Sequence, residues 1–241
     1  VGIEYSHHPI NDKWKNVWHW FIFSGSVLAP FLLGVLFTSI VRGMPIDENM
    51  TMWATFTDYV NVYSVVGGLA VVLLTLVHGL TFIGLRTTGP VHTRALALLK
   101  KVYFVLFGGL VVFAVLTYFN TDLFTVRPVA TPVFLVCIVL AAVLGFIFAN
   151  KGKEGWAFTM SGLTIVLTVA MLFVGLFPRV MISSIDPAFN LTIDNAASGQ
   201  YTLSLMTKIS LTLLPFVLGY QIWSYYIFRK RISHKDTVNY K

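Results

Sequence analysis

Leu176–Thr207 reads LFPRVMISSIDPAFNLTIDNAASGQYTLSLMT and joins two long apolar runs through a polar segment rich in Ser, Asn and Asp. The first run is expected to break at Pro178, because proline lacks the backbone N–H that a continuing helix needs. Apolar residues resume at about Leu203. The stretch therefore predicts two hydrophobic helices connected by a loop that concentrates polar side chains.

The composition of the chain points to a membrane protein. Of its 241 residues, 56% are hydrophobic and 11% are charged, and the mean hydropathy is +0.77. A soluble domain carries about 25% charged residues, so this chain could not cover a water-facing surface. Its apolar runs are roughly 20 residues or longer, which suits helices across a ~30 Å hydrocarbon core. The sequence predicts an all-α, polytopic transmembrane helical bundle.

The chain divides into six predicted spans, which together form a single membrane domain over residues 1–241. The spans cover residues 17–41, 59–85, 102–119, 132–149, 156–177 and 201–228. Between the second and third spans, the segment RALALLKK at residues 94–101 is expected to lie in the membrane interface.

The charges of the chain indicate how it crosses the membrane. The net charge is +7, and the charged residues flank the apolar runs, which favours a membrane surface over nucleic acid as the partner. Of the 17 Lys and Arg residues, 13 lie in the two chain ends and in the connections on their side. Because Lys and Arg are enriched in cytoplasmic segments, both ends are predicted to be cytoplasmic. Trp18 and Trp20, at the inner end of the first span, fit an aromatic belt.

His78 is the histidine that lies deep in a predicted span. A membrane histidine can bind haem, but His19 lies near the inner boundary of its span and is not expected at the same depth. The other interpretation is a neutral histidine hydrogen-bonded to a neighbouring helix. His78 is therefore kept as an alternative cofactor ligand, and no catalytic residue or metal ligand is assigned.

Acidic residues are absent from the middle of every predicted span. A proton- or sodium-coupled transporter would be expected to have acids or broken helices at the membrane midplane. The absence of such acids argues against a coupled transporter, and a secondary transporter is kept as the alternative function. An independent haem-binding cytochrome, which would need a second ligand beside His78, is a third.

Two glycine pairs, Gly67-Gly68 and Gly108-Gly109, lie within the second and third spans. Glycine at a membrane helix surface lets two backbones approach closely. Both pairs therefore predict sites of close helix packing.

Several separated motifs resemble one known family. They are KWKNVWHWFIFSGS at Lys13–Ser26, RGMP at Arg42–Pro45, the stretch Leu176–Thr207, and LLPFVLGYQIWSYYIFRKRI at residues 213–232. In these motifs and their order, the chain is similar to subunit II of bacterial cytochrome bd-type quinol oxidases over nearly all of its length. The resemblance implies the carboxyl-terminal part of that subunit, preceded by roughly three further membrane helices.

The resemblance implies a supporting subunit of a respiratory complex in the bacterial cytoplasmic membrane. Such a complex oxidises quinol and reduces dioxygen to water, and its two b haems and its d haem belong to subunit I. The expected partners are haem-bearing subunit I, membrane lipid, the quinone pool and small accessory subunits. The chain itself is expected to bind no haem, although some family members hold a structural quinone.

The polar loop of the opening stretch supplies short hydrogen-bonding side chains, which suit turns and helix caps. Two roles stay open: the loop ties the last two spans together and caps the last one from Ser198 or Gln200, or it docks on the outer face of the partner. The structural and interface candidates are Ser183, Ser184, Asn190, Asn195, Ser198, Trp18 and Trp20.

Overall fold

The computed structural model describes residues 12–231, so the predictions for residues 1–11 and 232–241 lie outside the described part. The helices are α1 (Asp12–Arg42), α2 (Phe56–Tyr59), α3 (Val62–Arg86), α4 (Pro90–Asn120), α5 (Leu123–Val126), α6 (Ala130–Asn150), α7 (Glu154–Leu176) and α8 (Gln200–Ile227). Between α7 and α8 lie the strands β1 (Arg179–Met181) and β2 (Leu191–Thr192), separated by a 3-10 turn at Pro187–Phe189.

Six of these helices, α1, α3, α4, α6, α7 and α8, are long and apolar enough to cross a membrane. The number of predicted spans, six, is therefore confirmed. Residues 94–101, predicted to lie in the interface, belong to α4, which begins at Pro90. Proline favours the first position of a helix, and Ala95 and Leu99 are buried in the bundle core, so packing holds this segment helical.

Helices α3, α4, α6 and α7 form a four-helix bundle. α3 packs along α4 and α6 along α7, and the two pairs meet where α3 contacts α7 and α4 contacts α6. Connections of only a few residues, at 87–89 and 151–153, join consecutive helices, as is typical of antiparallel neighbours. α1 packs on the outside of this bundle, mainly against α3.

The two ends of the bundle differ in their connections. The long-loop end carries residues 43–61, 121–129 and 177–199, and the short-loop end carries residues 87–89 and 151–153. Each end has its own buried cluster. Tyr63, Leu123 and Leu176 belong to the cluster at the long-loop end, and Leu80 and Ala157 to the other. The core thus consists of two apolar clusters, and the buried polar residues of the described chain are all Ser and Thr.

The predicted glycine contacts are confirmed at one pair and not at the other. An added Cβ on Gly67 would lie 2.3 Å from Thr38 Cγ2, and one on Gly34 would lie 2.7 Å from the Gly67 carbonyl oxygen. α1 and α3 therefore touch backbone to backbone. At Gly108, no described heavy atom lies within 4 Å of an added Cβ, and Gly109 meets only a Leu73 methyl group at 3.3 Å.

α8 is different from the other long helices. None of its residues is buried among residues 12–231, although its large apolar side chains include Leu211, 68% exposed, and Ile222, 71% exposed. The first half of α1 is similar, with Trp20 and Phe21 both mostly exposed. These two surfaces are the parts of the described chain that the bundle leaves uncovered.

The close contact of α1 and α3 predicts the effect of adding one methyl group to α1. Gly34→Ala places a Cβ against the backbone of Gly67 and Gly68, so the helices must separate, at a cost of about 1–3 kcal/mol in the free energy of unfolding. Gly25→Ala, on the same helix, meets no described atom within 4 Å and is expected to be neutral or slightly stabilising. Thermal unfolding of the two variants in detergent measures the difference, and equal midpoints would refute the close contact.

Candidate functional site

His78 lies on α3 and is held by α7. Its Nδ1 is 2.9 Å from Ser161 Oγ, and its ring stacks on Phe158 with 4.4 Å between the centroids. Ser161 is buried, lies 3.1 Å from Thr81 Oγ1 and donates to the Phe158 carbonyl at 2.8 Å. The hydrogen bond to a neighbouring helix is therefore confirmed, and this polar cluster joins α3 to α7.

The residues around His78 do not fit a haem held by two histidines. His19 is exposed on α1, where it lies beside Trp20 and Phe23. His92, at the start of α4, contacts the Glu154 carboxylate. Within residues 12–231, no group of three or more His, Cys, Asp and Glu side chains could hold a metal ion. The hydrogen bond to Ser161 thus gives His78 a structural partner.

The polar residues of the long-loop end form a second cluster, which we call the loop clasp: residues Met44–Ile46 bonded to Ile182–Ser184. The Met44 N–H donates to the Ile182 carbonyl at 2.9 Å, and the Ser184 N–H donates to the Met44 carbonyl at 2.8 Å. Ser183 Oγ donates to the Ile46 carbonyl at 2.8 Å. Met44, Ile46 and Ser183 are all buried, so these hydrogen bonds are shielded from solvent.

Two asparagines in the segment between β1 and α8 stabilise the loop clasp. Asn190 Oδ1 accepts from the Ser183 N–H at 2.7 Å, and Asn195 Nδ2 donates to the Asn190 carbonyl at 3.1 Å. Asn195 Oδ1 also accepts from the Thr192 N–H at 2.7 Å. β1 and β2 pair antiparallel within the same segment, with Arg179 opposite Thr192. The loop therefore contains a small sheet that an all-helical prediction does not include.

Arg179 ties the clasp to the rest of the bundle. Its Nη2 donates to Asp122 Oδ1 at 3.0 Å and its Nη1 to the other carboxylate oxygen of Asp122, a bidentate, charge-assisted pair. The Arg179 side chain is only 13% exposed. From the neighbouring connection, Arg127 Nη2 donates to the Phe177 carbonyl at 2.8 Å. All three connections of the long-loop end are thus joined by hydrogen bonds.

Asp47 organises the connection between α1 and α2. It accepts from the Trp53 indole at 2.8 Å and from the Thr51 and Asn49 N–H groups, each at 2.9 Å. The hydrogen bond from Trp53 is the largest cause that lowers the pKa of Asp47 below its usual range, and the bonds from the Thr51 and Asn49 N–H groups add to it. Asp47 therefore remains an ionised acceptor around which the loop turns.

The structure brings some of the predicted loop residues together and leaves others apart. Ser183, Asn190 and Asn195 meet in and beside the clasp, whereas Ser184 contributes its backbone N–H and its side chain is exposed. The expected cap on the last span from Ser198 or Gln200 is wrong. Gly199 occupies the N-cap of α8, and no side chain bonds there.

Other residues of this site were missed by sequence reasoning. No sequence pattern assigned Asp122, Arg179, Met44 or Ile46 to this site. In the sequence, Met44 and Ile46 are visible as two apolar residues within an otherwise polar connection. Asp122 and Arg179 are visible as opposite charges in two separate connections. Neither signal identifies its partner without the fold.

Trp18 and Trp20 lie on the uncovered first half of α1. Trp18 is half-buried and contacts Trp14 edge-to-face at 5.8 Å, while Trp20 is 68% exposed and contacts Phe23 at 5.7 Å. The two predicted interface residues thus belong to an exposed aromatic surface, separate from the loop clasp.

Two small apolar pockets lie between the helices. One, of ≈ 190 Å³, lies among α4, α6 and α7, and the other, of ≈ 130 Å³, lies among α1, α3, α4 and α7. Phe113 and Thr168 line both pockets. Both are partly open at the surface, since Val111 of the first is 64% exposed and Leu33 of the second is 48% exposed, and their apolar walls suit small apolar molecules.

Comparison with known proteins identifies similar chains. Residues 1–228 match the family described as cytochrome bd terminal oxidase subunit II. The chain is 50% identical, over its full length and 71% of the relative, to cytochrome bd ubiquinol oxidase subunit 2 of Bacillus subtilis. It is 28% identical to cytochrome bd-I ubiquinol oxidase subunit 2 of Escherichia coli K12, over 98% of this chain and 71% of that one. A probable cytochrome oxidase subunit 2 of Haemophilus influenzae is 26% identical, over 93% of this chain and 68% of its own length.

The loop clasp predicts unequal effects for two adjacent serines. Ser183→Ala leaves the buried Ile46 carbonyl without its donor, which is expected to cost about 1–3 kcal/mol in the free energy of unfolding. Ser184→Ala keeps the backbone N–H that bonds Met44 and is expected to be neutral. Thermal unfolding, with limited proteolysis of residues 43–61 as a local measure, tests both. Equal behaviour of the two variants would rule out the side-chain bond as a source of stability.

Proposed function

Since the chain belongs to the cytochrome bd terminal oxidase subunit II family, we propose that it is the haem-free subunit whose uncovered helices bind haem-bearing subunit I. The chain is a membrane subunit of a respiratory quinol oxidase, an enzyme complex that reduces oxygen. The family implies haems in the complex and a subunit I beside this chain. In our proposal, the two b haems and the d haem lie in subunit I.

The observation that carries this proposal is the exposure of α8. A 28-residue helix with no residue buried among residues 12–231 must be covered by something outside those residues, and we propose that subunit I covers part of it. Its composition favours protein on one side. Ser204, Thr207, Lys208 and Thr212 fall on one face at helical spacing, and polar side chains within a span ordinarily face protein or a cavity. We call these four residues the polar stripe of α8.

The hydroxyl groups of the polar stripe are partly satisfied within α8 itself. Thr207 Oγ1 donates to the Leu203 carbonyl and Thr212 Oγ1 to the Lys208 carbonyl, both at 2.8 Å. This leaves their oxygen lone pairs and the Lys208 ammonium for a neighbour. A partner helix that approaches this face would meet small side chains that permit close packing.

The remaining contacts of the chain suit a supporting role. His78, Ser183 and Asp122 all serve bonds between its own helices or loops, and the haem supplies the redox chemistry of the complex when bound in the partner. The chain would hold subunit I and limit water beside it. The apolar pockets lined by Phe113 would admit dioxygen, and a structural quinone would lie against the uncovered helices.

The proposal places the chain in the bacterial cytoplasmic membrane, with both ends in the cytoplasm. The relatives are bacterial, and the six apolar helices suit a multi-pass protein of the inner membrane. The excess of Lys and Arg at the short-loop end supports the orientation. A secondary transporter is not supported, because the homologues are oxidase subunits.

Docking through α8 predicts a contrast between neighbouring positions. Thr212→Trp adds bulk to the polar stripe, while Leu213→Trp adds the same bulk 100° away around the helix. Thr212→Trp is expected to lower the recovery of subunit I with the tagged chain several-fold, and Leu213→Trp to leave it near the wild-type level. Co-purification from membranes, with a reduced-minus-oxidised spectrum of the eluate, measures both. Full recovery of subunit I with Thr212→Trp would exclude docking on this face.

The haem assignment predicts that His78→Leu leaves the b and d haem bands of the purified oxidase unchanged. The same substitution removes the partner of buried Ser161 and should lower the thermal midpoint. Ser161→Ala is the matched control, since it breaks the same hydrogen bond and keeps the imidazole. A haem band that disappears in His78→Leu and persists in Ser161→Ala would make His78 a ligand and overturn the assignment.

A further inference from the structure

We propose that the cleft between the carboxyl-terminal ends of α3 and α8 binds the phosphate headgroup of an anionic phospholipid. The cleft has a volume of ≈ 380 Å³ and is open on one side. Its lining comes from the last turns of both helices and from Phe228 and Lys230, which follow α8. The inference concerns the lipid around the chain and stands whether or not α8 binds subunit I.

The charge of the cleft calls for an anion. Arg86 and Lys230 are the charged residues of its lining, and both are cationic. Arg86 Nε is buried and has no hydrogen-bond partner in the described part of the chain. Among residues 12–231, neither Arg86 nor Lys230 belongs to an ion pair. The cleft therefore contains two uncompensated positive charges and one buried donor without an acceptor.

A neighbouring carboxylate would ordinarily balance such charges, but the carboxylate at this end of the bundle already contacts other cations. Glu154, the first residue of α7, lies at this end of the bundle, and its two carboxylate oxygens contact His92 and Arg231. The Glu154 side chain is only 11% exposed. It is thus committed to other cations, and none of the ion pairs among residues 12–231 includes Arg86 or Lys230.

The walls of the cleft fit the rest of a phospholipid molecule. Phe82, Tyr225 and Phe228 supply aromatic surface, and the Arg86 guanidinium lies 5.7 Å from the centre of the Phe82 ring. Gln221 and Ser224 add hydrogen-bonding groups between the charges and the apolar part of the lining. A free phosphate would use the cations and leave the aromatic surface bare, whereas a glycerophospholipid covers both.

The depth of the cleft also matches a headgroup. Arg86 is the last residue of α3, and Lys230 lies three residues beyond Ile227, the end of α8. Basic side chains at the ends of spans lie at headgroup level, and basic pockets between membrane helices bind anionic lipid headgroups. The acyl chains would then run along the uncovered apolar surface of α8.

Native mass spectrometry of the intact oxidase in detergent tests the proposal. The complex is titrated with phosphatidylglycerol, with phosphatidylcholine of the same acyl chains, and with phosphatidylglycerol in excess inorganic phosphate. We expect one tight phosphatidylglycerol adduct, no matching phosphatidylcholine adduct, and no displacement by phosphate. Equal binding of the two lipids would overturn the proposal, and displacement by phosphate would assign the cleft to a free anion.

Variants locate the adduct. The double variant Arg86→Gln, Lys230→Gln removes both cations of the cleft, and we expect about 30-fold weaker phosphatidylglycerol binding, since each basic residue near the surface contributes about 1 kcal/mol. The control Lys151→Gln, Lys153→Gln removes two exposed charges from the same end of the bundle and should bind as the wild type does. If both double variants lose the lipid equally, the attraction is general and the cleft is not the site.

Discussion

The close approach of α1 and α3 at Gly34 and Gly67 is the contact on which the long-loop end depends. With the two backbones in contact, α1 ends beside the carboxyl terminus of α7, and Val41 joins the buried cluster of Leu176. Met44 and Ile46 can then reach the segment that follows α7. A bulkier residue at either glycine would move the end of α1 away, and the hydrogen bonds of the loop clasp would lose their alignment.

The six spans could be predicted because length and hydropathy alone determine which segments cross a bilayer. The start of α4 could not, since Ala95 and Leu99 are helical through packing on residues such as Leu80, and that packing depends on the fold. The loop clasp could be predicted only in part. Asn190 and Asn195 are typical turn residues, but the backbone groups of Met44 and Ile182 leave no signature in a sequence. The Gly199 N-cap shows the same limit, because a run of Ser, Gly and Gln offers several cap positions.

Most polar side-chain contacts of the described residues lie at the long-loop and short-loop ends of the bundle, and few lie in the middle of the spans. Ser161 serves His78 and Thr81 together, and Tyr63 lies 3.3 Å from Thr117 across α3 and α4. Each of these groups satisfies another group of the same chain, as apolar surroundings require. The buried Tyr103 hydroxyl on α4 is an exception, because it has no hydrogen-bond partner among residues 12–231. Thr207 and Thr212 of α8 bond to carbonyls of their own helix, which the bundle leaves uncovered. This distribution fits our proposal that α8 is the helix along which the chain binds its partner.

The Ser183–Ile46 hydrogen bond joins residues 137 positions apart, and this separation has a consequence for synthesis. At about 5–20 residues per second, a ribosome needs about 7–27 s to make the chain between the two residues. During that time Met44 and Ile46 lack the partners that later bury them. The loop clasp therefore forms only after the segment that follows α7 has been made, and until then the connection between α1 and α2 lacks the hydrogen bonds that hold it in the folded chain.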